Sequence, residues 1–359
     1  MAKALYGEVS PYSATRLERF AACAFAHFLQ YGMKLTERVE YEFKPMDMGN
    51  VMHEALESFA EEVRKRGMKW KELTEQERNE IADRCLDNIV ADYGNTVLKS
   101  SARNEYMIER TRRILRRTVW ALQKQLEQGE FQPEGFEVTF GGGRIDRVDI
   151  MEDQNKVYVK VIDYKTGNTS FDLVYLYHGL QLQLMIYLDG ALRVEQKKYP
   201  DKEIIPAGVF YYNIKDPMIQ EKIDADVEAV SAGLMKELKM NGLVQADPEL
   251  VYRMDSSLGS IPVAFNKDGS FRKNSSVADR TQFAVLGRYV RTKIEKIRSS
   301  ILEGDAEVSP YELGKKNACT YCPYMTVCGF DRRLSGYEFR RLKNFSDEEL
   351  WKAFDREAE

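Results

Sequence analysis

The stretch ValTyrValLysValIleAspTyrLysThrGly, residues 157–167, decides how the chain folds. Its β-branched and aromatic residues recur with period two and stop at a threonine and a glycine, which spells a strand. Asp163 and Lys165 stand two apart at its end, so both side chains leave the same face of a sheet. A carboxylate and an ammonium held side by side suit a site where one grips a divalent cation and the other offsets phosphate charge. Taken alone, such a pair at a strand end is more often a solvated ion pair.

Two further strand patterns precede it, PheGluValThrPhe at 136–140 and ArgIleAspArgValAspIle at 144–150, giving a three-stranded meander. Asp146 sits among apolar residues beside the Asp163 strand, and two carboxylates with one backbone carbonyl, such as that of Tyr164, suffice for a hard cation like Mg²⁺ that keeps its waters. Asp149 competes, but its strand parity opposes that of Asp146. Beyond a Gly/Asn loop, a helix over 174–191 places Gln183 and Tyr187 at i and i+4 on one face. They either serve a ligand or bond to each other. A strand follows over 204–214.

Before the meander the periodicity predicts helices over 13–31, 48–66, 74–93 and 103–127, with Thr15/Glu18 and Thr74/Glu77 at capping-box spacing and Gly129 as a terminator. Further helices are expected over 224–239 and 281–301, with the polar stretch 255–276 as a mobile loop. The order implies an α/β domain, a small mixed sheet flanked by helices, with 67–130 as a helical insertion. Residues 1–335 would form the domain and 336–359 a helical tail. His53 lies at the second turn of its helix, where an imidazole can reach a metal, although a lone helical histidine is more often a packing residue. His27 and His178 read as packing residues. Arg103, Arg110, Arg112, Arg113, Arg116 and Arg117 crowd one helix, either to meet phosphates or as a solvated face paired with acids.

With 359 residues, 43% of them hydrophobic, the chain can bury a real core, and its net charge of −4 advertises no general polyanion binding. No window approaches the roughly 18 apolar residues of a membrane helix, and Met1 to Gly7 carries no signal region, so a cytoplasmic protein with no membrane partner is expected. Three of the five cysteines, Cys319, Cys322 and Cys328, stand as Cys-x2-Cys-x5-Cys, which is metal-ligand spacing; Cys23 and Cys85 lie far upstream. Four cysteines could equally hold zinc.

Gly49-x3-His53, Gly143-x-Ile-Asp146, Asp163-x-Lys165 and Gln183-x3-Tyr187 together resemble the RecB-type branch of the PD-(D/E)XK nucleases. The cysteines, with SerAlaThrArgLeuGluArgPheAlaAlaCys ending at Cys23, resemble the iron-sulfur staple of the AddB family, the nuclease-bearing subunits of bacterial AddAB helicase-nucleases. The likeness runs from LysAlaLeuTyrGly at 3–7 to SerProTyrGluLeuGly at 309–314 and the cysteine cluster. It implies a PD-(D/E)XK core in which His53, Asp146 and Asp163 bind Mg²⁺ or Mn²⁺, Lys165 is the catalytic lysine, and Gln183 and Tyr187 support it. It further implies a 4Fe-4S cluster on Cys23, Cys319, Cys322 and Cys328, joining the N- and C-terminal parts. Ala24 departs from the proline usual after the first cysteine.

The function so implied is that of a metal-dependent deoxyribonuclease, an exonuclease acting on single-stranded DNA delivered by an AddA-type helicase in double-strand break repair by recombination. Family members are far longer, and Gly314-Lys315 is followed by Lys316 rather than Ser or Thr, so no phosphate-binding motor loop is present. The expectation is a C-terminal nuclease region of an AddB-like subunit. The rival readings are a stand-alone CRISPR-associated RecB-type nuclease, which the long stretch between His53 and Asp146 disfavours, and a non-catalytic iron-sulfur DNA-binding module.

Overall fold

Strands β1 (Gln132–Phe140), β2 (Gly143–Asp153), β3 (Lys156–Lys165), β4 (Glu203–Asn213), β5 (Asn241–Gln245) and β6 (Val277–Ala278) form one mixed sheet whose spatial order is their chain order. The computed structural model describes residues 2–7, 13–36, 45–92, 101–141, 143–220 and 226–358. β1 to β3 are the antiparallel meander, β4 returns parallel to β3, β5 is antiparallel to β4, and β6 is parallel to β5.

The alternation in β3 sorts its side chains between two cores. Tyr158, Ile162 and Tyr164 meet helices α2 (Pro45–Lys65), α3 (Glu75–Asp92) and α4 (Ala102–Glu127). Val157, Val159 and Val161 meet α1 (Ala14–Ala22), α5 (Gln183–Lys198), α6 (Arg280–Glu303) and α7 (Asp347–Ala358). Both faces are covered, which is why the strand reads as a nearly continuous apolar run. α7, from the expected tail, lies in this second core, with Leu350, Ala353 and Phe354 buried. Among the described residues no helix is long and apolar enough to cross a membrane.

Several expectations change in detail. The helix predicted over 13–31 breaks at Cys23, whose backbone is extended (φ −165°, ψ 117°), before a second short helix at Ala24–His27. Ser13, not Thr15, caps α1, its hydroxyl accepting the Arg16 N–H. The Thr74/Glu77 box forms as expected, Thr74 N donating to Glu77 Oε2 at 2.9 Å and Glu77 N to Thr74 Oγ1 at 3.3 Å. Tyr93 and residues 224–225, at the ends of two expected helices, lie outside the described residues.

The polar stretch after Asp255 is a folded excursion. Asp255 is buried and accepts the backbone N–H groups of Ser257 (2.9 Å) and Ser260 (2.7 Å), while Ile261 and Val263 enter the first core. Polar composition concealed these anchors. Several arginines of α4 are paired with acids. Arg112 pairs with Asp87 at 2.7 Å, Arg113 with Asp216 at 2.5 Å, and Arg116 with Asp83.

Asp149, the competitor for the site, is committed elsewhere. It lies fully buried on the α2–α4 side, 2.6 Å from Arg147 Nε and 2.9 Å from Lys160 Nζ. Its pKa is held low because those two cations outweigh the cost of burial.

Candidate functional site

The meander register puts Phe136 opposite Arg147, Val138 opposite Ile145, and Arg147 opposite Ile162. The positions between these pairs are Glu137 on β1, Asp146 on β2 and Asp163 on β3, so three carboxylates form a row across the sheet on one face. His53, from α2, stands over the row with Nδ1 3.4 Å from Asp146 Oδ2 and 3.7 Å from Glu137 Oε1. One ligand atom each from His53, Glu137 and Asp146 fall within 4.8 Å of one another, a group that can hold a cation. Tyr164 N donates to Asp146 Oδ2 at 2.7 Å and fixes that carboxylate. A cleft of about 810 Å³ opens over them, lined also by Asn50, Glu54, Glu57 and Tyr187.

Glu137 was not among the expected ligands. Its signal lay in strand parity, since it occupies the one position of β1 that faces Asp146. Its φ of +49° is the left-handed region, uncommon for a residue with a Cβ, and such backbone collects where side chains must be aimed. Arg144 Nε holds its other oxygen at 2.5 Å.

Crowding these acids has an electrostatic cost that a cation relieves. Asp146 is pushed up to about 7, first by burial and then by Asp163 beside it. Asp163 is also raised, chiefly by burial, against the pull of Lys165. Burial works against the His53 imidazolium, yet Glu137, Asp146 and Asp163 outweigh it and raise His53. The donor set of one imidazole and oxygen acids fits a hard or borderline divalent ion.

Asp163 does not join that close group. Its Oδ2 lies 2.7 Å from Lys165 Nζ, as the same-face spacing requires. Lys165 Nζ also donates to Gln183 Oε1 at 2.7 Å, and Gln183 Nε2 donates to Tyr187 Oη at 2.9 Å. Of the two sequence readings of the Gln/Tyr pair, the structure shows the mutual bond, and it extends that bond to the lysine. Gln183 opens α5, and its start is fixed by Glu18, which reaches across from α1. Glu18 Oε1 accepts the N–H groups of Leu182 (2.7 Å) and Gln183 (3.0 Å), two donors the helix leaves free. Glu18 was expected to cap its own helix; it caps α5 instead, and burial pushes its pKa up to about 7.

The second gathering is sulfur. Cys23, Cys319, Cys322 and Cys328 line one small cavity with Phe25, Val308, Pro310 and Phe330. The Cys319 thiol is pushed up to about 11, first by burial and then by Cys322, Cys23 and Cys328. Four thiols converging in an apolar setting fit a metal or cluster that takes thiolates. Cys85 lies apart, buried in the first core. His27 is fully buried among the Tyr6, Phe20 and Tyr31 rings, and His178 Nε2 meets Lys343 O at 2.8 Å, so both are packing residues.

Residues 11–329 match the PD-(D/E)XK nuclease superfamily. The chain belongs to that superfamily. Proteins named as a subunit of an ATP-dependent helicase/deoxyribonuclease are similar to all of it. The one from Lachnoclostridium phytofermentans is 43% identical over 382 residues, covering 100% of this chain and 33% of that protein. The one from Thermoanaerobacter sp. is 35% identical over 380 residues (99% and 33%), and that of Clostridium acetobutylicum 35% over 377 (98% and 32%). The chain thus spans about a third of the length of these curated relatives. PD-(D/E)XK nucleases use divalent metals, and the His53–Glu137–Asp146 group is one that can hold such an ion.

A pH dependence follows. A cation must displace the protons that Asp146, at about 7, and the raised His53 carry. Mn²⁺ affinity, followed by titration, is therefore expected to rise steeply between about pH 6 and about pH 8. The sign is opposite for the metal-free fold. Raised carboxyl groups bind more protons folded than unfolded, so its stability falls as pH climbs from the ordinary carboxylate range to about 7. A flat metal-binding profile would remove Asp146 and His53 from the ligand set.

Proposed function

We propose that the chain is the nuclease portion of an AddB-type subunit and hydrolyses DNA phosphodiester bonds with Mg²⁺ or Mn²⁺. The observation that carries this reading is the row of Glu137, Asp146 and Asp163 under His53, with Lys165 at its end. A divalent cation bound there lowers the pKa of a water and offsets phosphate charge. His53, Glu137 and Asp146 would hold it, with Asp163 and the Tyr164 carbonyl as the further oxygen donors on the neighbouring strand. Lys165, anchored by Asp163 and Gln183, points an ammonium at the phosphate and stabilises the negative charge that develops on it. Tyr187 and Glu18 keep Gln183, and through it the lysine, in place.

The substrate on this reading is single-stranded DNA, degraded exonucleolytically as an AddA-type helicase subunit unwinds it, during double-strand break repair in the cytoplasm. The names of the relatives support a helicase partner and a deoxyribonuclease activity. The four cysteines carry a 4Fe-4S cluster as a structural staple.

The test is Lys165→Ala. Lys165 bonds to Asp163 and Gln183, outside the His53–Glu137–Asp146 group, so Mn²⁺ binding should persist while the cleavage rate falls by on the order of 10²- to 10³-fold. Full activity in this variant would sink the assignment, and loss of metal binding would show that the lysine holds the ligands rather than the phosphate.

A further inference from the structure

Helices α5 and α6 leave a groove of about 530 Å³ beside the metal cleft, and none of its residues has a part in the chemistry above. Its rim carries Arg193 and Lys197 from α5 and Arg291 and Arg298 from α6, of which Arg298 pairs with Glu295 at 3.0 Å, and the one carboxylate that lines the groove is Asp189. That acid bridges two of them, 2.7 Å from Arg193 and 2.9 Å from Arg291, so the rim keeps an excess of positive charge in a chain of net −4. The floor is apolar, built from Met185, Ile186, Val290 and Ile294.

Groove and cleft adjoin at the end of β1. Phe140 lines the groove, Gly143 and Tyr187 line the cleft, and the Phe140 and Tyr187 rings lie 5.8 Å apart. Two glycines deepen the groove for different reasons. At Gly190 a Cβ would stand 2.6 Å from the Phe140 ring, so packing demands glycine there. At Gly287, in the interior of α6, a Cβ would meet only Arg291 Nη1, at 3.7 Å. Mid-helix glycine is unfavourable relative to alanine, and here no neighbour requires it. What it preserves is open space.

We propose that this groove carries the single nucleic-acid strand running into or out of the metal cleft, with phosphates on the cationic rim and bases against the apolar floor and Phe140. This rests on the nuclease reading above and adds the strand's path. A cationic rim over an apolar floor suits a single strand, whose bases offer flat faces. A duplex keeps those faces stacked inside and cannot use the floor.

The experiment compares the whole protein with two variants outside the cleft. Gly287→Trp fills the groove and leaves every charge in place; Lys197→Glu/Arg298→Glu reverses the rim and leaves the space. Binding of labelled oligodeoxynucleotides of about 20 and about 4 nucleotides is read by anisotropy across a salt series, with Mn²⁺ titration as the check on the cleft. Both variants should bind the long strand about tenfold or more weakly, and the charge variant should lower the slope of log affinity against log salt by about one per lost phosphate contact. The short strand and Mn²⁺ should bind as in the unaltered protein. Unchanged affinity and slope for the long strand in both variants overturn the proposal. So does retained DNA binding with loss of affinity for polyglutamate, which would make the groove a dock for an acidic protein segment. If the unaltered protein binds the long strand through the groove yet cuts nothing with metal present, the nuclease reading fails and the groove stands.

Discussion

Asp163→Ala is expected to lower metal-dependent cleavage by on the order of 10³-fold or more while leaving the fold intact. Asp163 is 1% exposed and its carboxyl is raised by burial, so its negative charge burdens the metal-free fold rather than supporting it. The loss falls on function. Without it, Lys165 keeps Gln183 but loses the carboxylate 2.7 Å away, and the strand presents no acid toward the cation. Asp146 should titrate lower, because Asp163 is the main neighbouring charge that raises it. The outcome is read from a cleavage time course, a thermal melt and an Mn²⁺ titration. Normal cleavage by this variant would refute the role given to Asp163.

The largest expected effect on stability comes from the cysteines. Cys23 ends α1 and its three partners lie beyond residue 318, so a cluster shared among them closes a loop of roughly 300 residues. In the chain-entropy treatment of cross-links that closure contributes about 5 to 6 kcal/mol at most, comparable to a domain's whole stability. Cys23→Ala, Cys319→Ala, Cys322→Ala and Cys328→Ala should each lose iron and melt many degrees lower. Cleavage should fall with them, because α1 also carries Glu18 and, through it, the start of the Gln183 helix. Cys85→Ala should keep its iron, since Cys85 packs in the other core among Ile81, Leu86 and Ile89. If Cys23→Ala kept both iron and melting temperature, the cysteines would not be a staple.

The meander, the face shared by Asp163 and Lys165, and the i,i+4 contact of Gln183 with Tyr187 were legible because each rests on a local period of two or 3.6. That His53 and Asp146 come together was implied by the resemblance to the RecB-type nucleases rather than by any local period. Glu137 and Glu18 were not legible, and for different reasons. Glu137 depends on register, which a sequence states only once three strands are aligned against one another. Glu18 had a plausible local partner at capping-box spacing, and its actual partners lie 164 and 165 residues away. The break at Cys23 and the anchoring of the excursion by Asp255 are likewise tertiary, local propensity giving way to a long-range contact. The acids that pair with the arginines of α4, Asp83, Asp87 and Asp216, lie on other segments and could not be matched to them from the sequence.

The most direct measurement is a time course on single-stranded DNA with the unaltered protein, in Mg²⁺, in Mn²⁺ and in excess chelator, alongside an Mn²⁺ titration of the DNA-free protein. Saturable Mn²⁺ binding, with cleavage that starts on metal addition and stops on chelation, is the result expected of His53, Glu137, Asp146 and Asp163 acting as a hydrolytic metal site. DNA cut equally well in chelator, or a protein that takes up no Mn²⁺ at about pH 8, would contradict it.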